Sequence, residues 1–153
     1  MRAGELCNHN VITATADTPI SDAARLMRDH HVGCLIIVTH TKGRVEPVGI
    51  VTDRDIVIEL IARAVTIDDV TLGDIVSYAL LKVTEDETVF DTAQRMRCRG
   101  VRRVPVISST GELVGILALD DILSLLGEEL SLLSKLTARE NEQEVKKRCS
   151  TSQ

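Results

Sequence analysis

Two stretches of the chain share one rhythm of apolar and polar positions. Val48-Gly49-Ile50-Val51 runs into Thr52-Asp53-Arg54-Asp55-Ile56, and Val114-Gly115-Ile116-Leu117 runs into Ala118-Leu119-Asp120-Asp121-Ile122. In each, an apolar run with glycine in second place gives way to an acidic turn and then to an apolar helical pattern, which reads as a strand handing over to a helix. The likeness extends upstream. Residues 3–38 lie on 72–107 without a gap, matching Gly4 to Gly73, Thr15 to Thr84, Asp17 to Asp86, Asp22 to Asp91, Ala24 to Ala93, Met27-Arg28 to Met96-Arg97 and Val32 to Val101. A turn three residues shorter in the second copy then brings Val48-Gly49-Ile50 onto Val114-Gly115-Ile116 and Asp55-Ile56 onto Asp121-Ile122. A repeat of about 69 residues predicts two units of one design.

Each unit opens on a short helical turn, Gly4-Glu5-Leu6 or Gly73-Asp74-Ile75, with Thr71 placed to cap the second. A short strand follows, Val11 to Ala14 or Leu80 to Val83. An amphipathic helix is next, with Ile20, Ala23, Ala24 and Met27 on one face in the first copy and Val89, Thr92, Ala93 and Met96 in the second. Thr18-Pro19 and Glu87-Thr88 open these helices. Two strands then flank a glycine-containing turn, the signature of a hairpin. They are Leu35-Ile36-Ile37-Val38 and Val48-Gly49-Ile50-Val51 around Thr41-Lys42-Gly43-Arg44, and Val104-Pro105-Val106-Ile107 and Leu113 to Leu117 around Ser109-Thr110-Gly111-Glu112. An apolar helix closes each unit, Ile56 to Ala64 and Ile122 onward.

The expected fold is therefore α+β, two tandem β-α-β-β-α repeats over residues 3–65 and 72–130 related by a pseudo-two-fold axis. Thr66 to Leu72 is read as the linker, and residues 131–153 as an extended C-terminal helix with a polar tail. Leu123, Leu126, Leu130 and Leu133 recur at spacings of three and four along that helix. Such a stripe either packs on its own domain or forms a dimer contact. Beyond Thr137 the composition turns polar, which predicts a solvated or fraying end with Ser150 to Gln153 disordered.

Composition narrows the functional classes. With 153 residues, 44% hydrophobic and 27% charged, the chain has ordinary globular make-up, and no run reaches the ~20 apolar residues of a membrane span. Met1-Arg2-Ala3-Gly4-Glu5-Leu6 lacks a signal-peptide segment, so a cytoplasmic location is expected. Cys7, Cys34, Cys98 and Cys149 are too few and scattered for a disulfide framework, so thiols are expected. A net charge of −5 argues against nucleic acid as the main partner. Tyr78 and Phe90 are the only aromatics, so a planar ligand would have to lie between aliphatic side chains and backbone.

One constellation could carry chemistry. In Thr52-Asp53-Arg54-Asp55 the T-x-x-D spacing makes a capping box, with Thr52 as N-cap and Asp55 three residues on. The same hydroxyl and carboxylate at a helix start can also hold a ribose diol, with backbone amides near a phosphate. Arg54, Arg102 and Arg103 could meet phosphates in a cleft between the repeats or stay solvated. His30-His31 read as residues at a helix C-terminus that favour its dipole. Cys7-Asn8-His9 with Cys34 matches no zinc spacing, so no metal is expected. A redox role for the cysteines would need an exposed thiol of lowered pKa. There is no nucleophile with an adjacent base and no P-loop, G-x-S-x-G or G-x-G-x-x-G, so the chain is not expected to be an enzyme.

Taken together, Gly49 to Asp55, Gly100-Val101-Arg102-Arg103-Val104-Pro105-Val106 and Gly115 to Asp121 resemble a tandem pair of cystathionine β-synthase (CBS) domains, or Bateman module, over nearly the whole chain. In that family, Gly-hydrophobic-x-Thr/Ser-x-x-Asp marks an adenosine-nucleotide site. The resemblance implies that Thr52 and Asp55 hold ribose hydroxyls, with the purine against Val11, Ile12 and Thr13 and against Cys34, Leu35 and Ile36. It implies a second, weaker site of Asp121 with Leu81, Lys82, Val83, Arg103, Val104 and Pro105. There Ala118 stands where the family has Thr or Ser, and one lost hydrogen-bond partner costs about 0.5–1.5 kcal/mol. The function implied is a regulatory module that senses AMP, ATP, NAD or S-adenosylmethionine and signals to a partner protein, as a disc-like homodimer. Its rival is a ligand-free homodimeric scaffold whose long leucine-striped helix recruits a partner.

Overall fold

The computed structural model describes residues 1–41, 43–76 and 79–150, with side chains as far as 143. It divides into two compact bodies, Met1–Ala118 and Leu119–Gln153. Lys42 of the first hairpin turn, Tyr78 and the terminal residues 151–153 lie outside the described residues.

The first body holds two three-stranded sheets of the same design. α1 (Ala3–Leu6), β1 (Thr13–Ala14), α2 (Ile20–Asp29), β2 (Cys34–Thr41) and β3 (Arg44–Thr52) lead into α3 (Asp53–Ile56). α4 (Leu72–Ile75), β4 (Val83–Thr84), α5 (Val89–Arg99), β5 (Arg103–Ile107) and β6 (Leu113–Ala118) repeat the order. In the first sheet β1 runs parallel to β2, and β3 antiparallel to it; β4, β5 and β6 do the same in the second. Even the irregularity repeats, since the hairpin register slips between Ile37 and Val38 and again between Val106 and Ile107.

The two repeats exchange their opening segments. α1 starts the first repeat but pairs with the second: the Ala3 amide donates to the Glu87 carbonyl at 2.8 Å, and Asn8 and Ile116 bond each other's backbones at 2.9 and 3.0 Å. α4 starts the second repeat but serves the first, the Leu72 amide donating to the Thr18 carbonyl at 2.9 Å. The bridge of Arg2 to Thr88 has its image in that of Pro19 to Thr71. Leu72 and Val76 accordingly complete the first repeat's core, beside Ile20, Met27, Leu35, Ile37 and Val51. The geometry that follows is a pseudo-two-fold. Backbones approach closely where glycine allows it, the Gly4 amide reaching the Glu85 carbonyl at 3.0 Å and the Gly73 amide reaching that of Ala16 at 2.7 Å.

Several element bounds differ from the sequence reading. β1 and β4 are two residues each; Val11 and Leu80 to Lys82 fall outside the strands, and Ile12 meets β2 only through its carbonyl, which accepts the Ile36 amide at 3.2 Å. The first hairpin is longer than its apolar runs, since polar residues continue the pairing to Thr41 and Arg44. The helix expected from Ile56 to Ala64 is α3 followed by a π-helical turn, Val57–Ile61, whose Val57 carbonyl accepts the Ala62 amide at 2.9 Å. Consecutive β-branched Ile56-Val57-Ile58 crowd an α-helix, and the wider turn relieves that. Leu72, read as linker, opens α4.

The second body is α6 (Leu119–Ser150), a helix of 32 residues. It continues through the polar stretch expected to fray. Leu123, Leu126, Leu130 and Leu133 are all exposed along it. Among the described residues no helix is long and apolar enough to cross a membrane.

Candidate functional site

The first repeat's strand-to-helix joint is a closed hydrogen-bond ring. The Thr52 amide and hydroxyl both donate to Asp55 Oδ2, at 2.8 and 2.7 Å, and the Asp55 amide donates back to Thr52 Oγ1 at 3.2 Å. β3 brings Thr52 to this place in extended conformation, and α3 begins at the next residue, so the capping box expected from T-x-x-D is realised. Thr71 and Asp74 form the same ring at the start of α4.

The ring borders a cleft of about 460 Å³ between the two repeats. Ile50, Thr52, Asp53, Arg54 and Asp55 line one side; Gly100, Val101, Arg102 and Arg103 line the other. The structure thus brings together five residues singled out in the sequence: Thr52, Asp55, Arg54, Arg102 and Arg103. Three guanidinium-bearing residues beside two carboxylates leave a cationic excess, suited to an anionic group.

Asp53 and Gly100 were not foreseen as lining. Asp53 receives the Arg54 amide on Oδ1 at 2.8 Å, and its own amide bonds the Gly33 carbonyl at 3.1 Å. A side chain at Gly33 would stand 3.3 Å from Asp53 Oδ2, so the glycine admits the carboxylate. The signal for Gly100 was its place directly before Val101-Arg102-Arg103, at the left-handed end of α5.

The other predicted residues fall into three places. Cys34 pairs with Thr52 across the β2–β3 ladder. Burial pushes its thiol above the ordinary value, Arg103 pulls it back, and Asp53 pushes it up, so Cys34 senses both walls of the cleft. Leu35 and Ile36 are wholly buried, so their side chains belong to the core rather than to an open slot. Val11, Ile12 and Thr13 lie on and just before β1 and are not among the cleft's lining residues. Of the second constellation, Val83, Val104 and Pro105 are buried, and the Lys82 ammonium donates to the Pro47 carbonyl at 3.3 Å, across the repeats. Leu81 is half-buried, Arg103 lines the first repeat's cleft, and Asp121 lies in the first turn of α6, in the other body. No group of His, Cys, Asp and Glu able to hold a metal occurs among the described residues.

Comparison with known proteins gives this architecture its class. The chain matches the CBS domain family at residues 3–62 and again at 72–128, and it belongs to that family as a tandem pair. An uncharacterized protein of Methanopyrus kandleri is 34% identical over 122 residues, covering 80% of this chain; the chain spans 61% of that protein, less than two thirds of its length. A CBS domain pair solved in complex with 5′-methylthioadenosine and S-adenosyl-L-methionine is similar at a TM-score of 0.72 and 27% identity, over 84% of this chain and 98% of that one. A CBS domain protein of Pyrobaculum aerophilum complexed with AMP is similar at a TM-score of 0.70 and 26% identity, over 79% and 89%.

Proposed function

We propose that the chain is a regulatory module that binds an adenosine-containing ligand in the cleft between its CBS repeats and passes the binding event to a partner protein. The observation that carries this reading is the placement of the Thr52–Asp55 ring on the border of a cleft whose opposite side bears Arg102 and Arg103. Both bonds that the ring makes to the carboxylate use Asp55 Oδ2, so a ribose diol can bond Oδ1, and its hydroxyls can compete with the Asp55 amide for Thr52 Oγ1. The guanidinium side suits phosphate, which favours AMP, ADP, ATP or NAD over an uncharged adenosine derivative. At about 460 Å³ the cleft falls in the range of small-molecule sites. Adenosine ligands bound by two proteins of similar fold support the ligand class. The module acts without catalysis of its own: ligand that binds one conformation better shifts the population toward it, and the partner reads the shift.

The rival is a ligand-free homodimeric scaffold, and the completeness of the capping box favours it, since Thr52 and Asp55 already satisfy one another. Thermal unfolding followed by circular dichroism decides between them. The panel is AMP, ADP, ATP, NAD, NADH and S-adenosylmethionine, with wild type, Asp55→Ala and Arg103→Ala. A ligand at 100 times its Kd stabilises by about 2.7 kcal/mol, and about 2–4 °C per kcal/mol is expected at this size. A shift with a phosphorylated adenosine that both substitutions reduce supports the sensor. No shift with any ligand, in protein freed of carried-over nucleotide, leaves the scaffold.

A further inference from the structure

Five of the eight leucines of α6 follow a stricter rule than an amphipathic helix requires, while Leu125, Leu132 and Leu136 lie off it. Leu119, Leu123, Leu126, Leu130 and Leu133 are spaced by four, three, four and three residues, a repeat of 3.5 that keeps one seam of a helix against a neighbour. All five are exposed, between 36% and 66%. None of the charged residues in this stretch, Asp120, Asp121, Glu128, Glu129 and Lys135, sits on the seam. We propose that this seam is the contact of α6 with α6 of a second copy of the chain, in a parallel two-stranded coiled coil over Leu119–Leu133.

Three observations select that occupant and that direction. A seam of identical leucines is complementary to itself, which suits an isologous contact between copies. A leucine buries roughly 60–120 Å² of apolar surface. Five from each helix, with the flanking stems, come to on the order of 1,000 Å² in total, the threshold for a specific interface. Charge then fixes the direction. An antiparallel pair that keeps every leucine in contact sets Leu126 against Leu130 and brings Glu129 of one helix beside Glu129 of the other. A parallel pair sets each leucine against its own copy and places Glu129 beside Ser134 of the second copy. Thr137 and Glu140 continue the seam, and two Glu140 carboxylates brought together end the coil there.

The test uses the full chain with Cys98→Ser and Cys149→Ser, and it does not depend on any nucleotide. Leu126→Cys puts a thiol on the seam, and Glu128→Cys puts one on the outer face. Under mild oxidation the seam variant should give at least tenfold more disulfide-linked dimer than the outer one. Leu126→Glu with Leu130→Glu should weaken dimerisation at least tenfold by sedimentation, with far-ultraviolet circular dichroism unchanged. Equal or weaker cross-linking at position 126, or a wild-type chain that sediments as a monomer, overturns the proposal. So does a cross-link at position 126 to a foreign chain in a cell extract in place of a second copy.

Discussion

His31 takes up the left-handed backbone conformation, at φ 52°, that Gly100 holds at φ 66° in the matching place of the other repeat. Both end the amphipathic helix of their unit, but only glycine does so without steric cost. A residue with a Cβ loses about 1–2 kcal/mol there, offset in part by the extra chain freedom that glycine gives up on folding. The His31 side chain is exposed and loses no packing on removal. His31→Gly should therefore stabilise the chain by about 0.5–1 kcal/mol, raising Tm by roughly 2–4 °C per kcal/mol in a thermal melt. A lowered Tm would show that the imidazole makes a contribution the backbone argument omits.

Gly115 should tolerate no side chain. A Cβ there would stand 2.5 Å from Cys7 Sγ and 2.8 Å from the Asn8 carbonyl oxygen, on the segment that crosses from the first repeat. Gly115→Ala should cost about 1–3 kcal/mol in denaturant unfolding. Adding Cys7→Ala should recover only part of that, because the carbonyl belongs to a backbone bridge that cannot step aside. Full recovery would mean the sulfur alone causes the clash.

The Thr71–Asp74 ring should make stability depend on pH in one direction. The Thr71 amide and then its hydroxyl hold the Asp74 carboxyl below its ordinary value. A carboxyl whose folded pKa is depressed stabilises the fold above its unfolded pKa, about 3.9. That contribution fades as pH falls through the lower, folded value. The Tm gap between wild type and Asp74→Asn should be steady from pH 5 to 7 and close below about pH 4. A gap that widens on acidification would contradict this.

Thiol chemistry should separate the cysteines. Cys98 is exposed, whereas Cys34 is half-buried and its thiol is raised by burial. Iodoacetamide at pH 7.5 should modify Cys98 well before Cys34, by peptide mapping. Arg103→Gln should slow Cys34 further, since a cation that favours the thiolate is gone. Equal rates at the two cysteines, or a faster Cys34 in the variant, would count against the placement of Arg103 beside this thiol.

The fold was largely legible because duplication doubles every signal: the turns, helices and hairpins of one repeat vouch for those of the other. What the pattern could not show was which sheet α1 and α4 join. Four-residue helices carry no period long enough to name a partner, and Ala3 finds its hydrogen bond at Glu87. The π turn after Ile56 escaped for a related reason, since the five residues Val57–Ile61 are too few to show whether their period is that of an α-helix or of a wider turn. Within the site, Thr52 and Asp55 were readable from local spacing. The burial of Leu35 and Ile36 was not, because β2 is buried on both faces from Leu35 to Val38 and alternation gives no hint of which side opens. Arg103 was read both into the second constellation and, with Arg54 and Arg102, toward a cleft between the repeats, and its place opposite the Thr52–Asp55 ring could be seen only once the repeats were set together.

The exchanged opening segments also set a timetable. Asn8 leaves the ribosome well ahead of its partner: the backbone it bonds, at Ile116, is made about 108 residues later, roughly 5–20 s at ordinary rates of synthesis. The first repeat, for its part, lacks two core side chains until Leu72 and Val76 emerge. Neither half can mature on the growing chain while the other is absent, and the nascent protein must carry an unfinished sheet until nearly all of the first body has been translated.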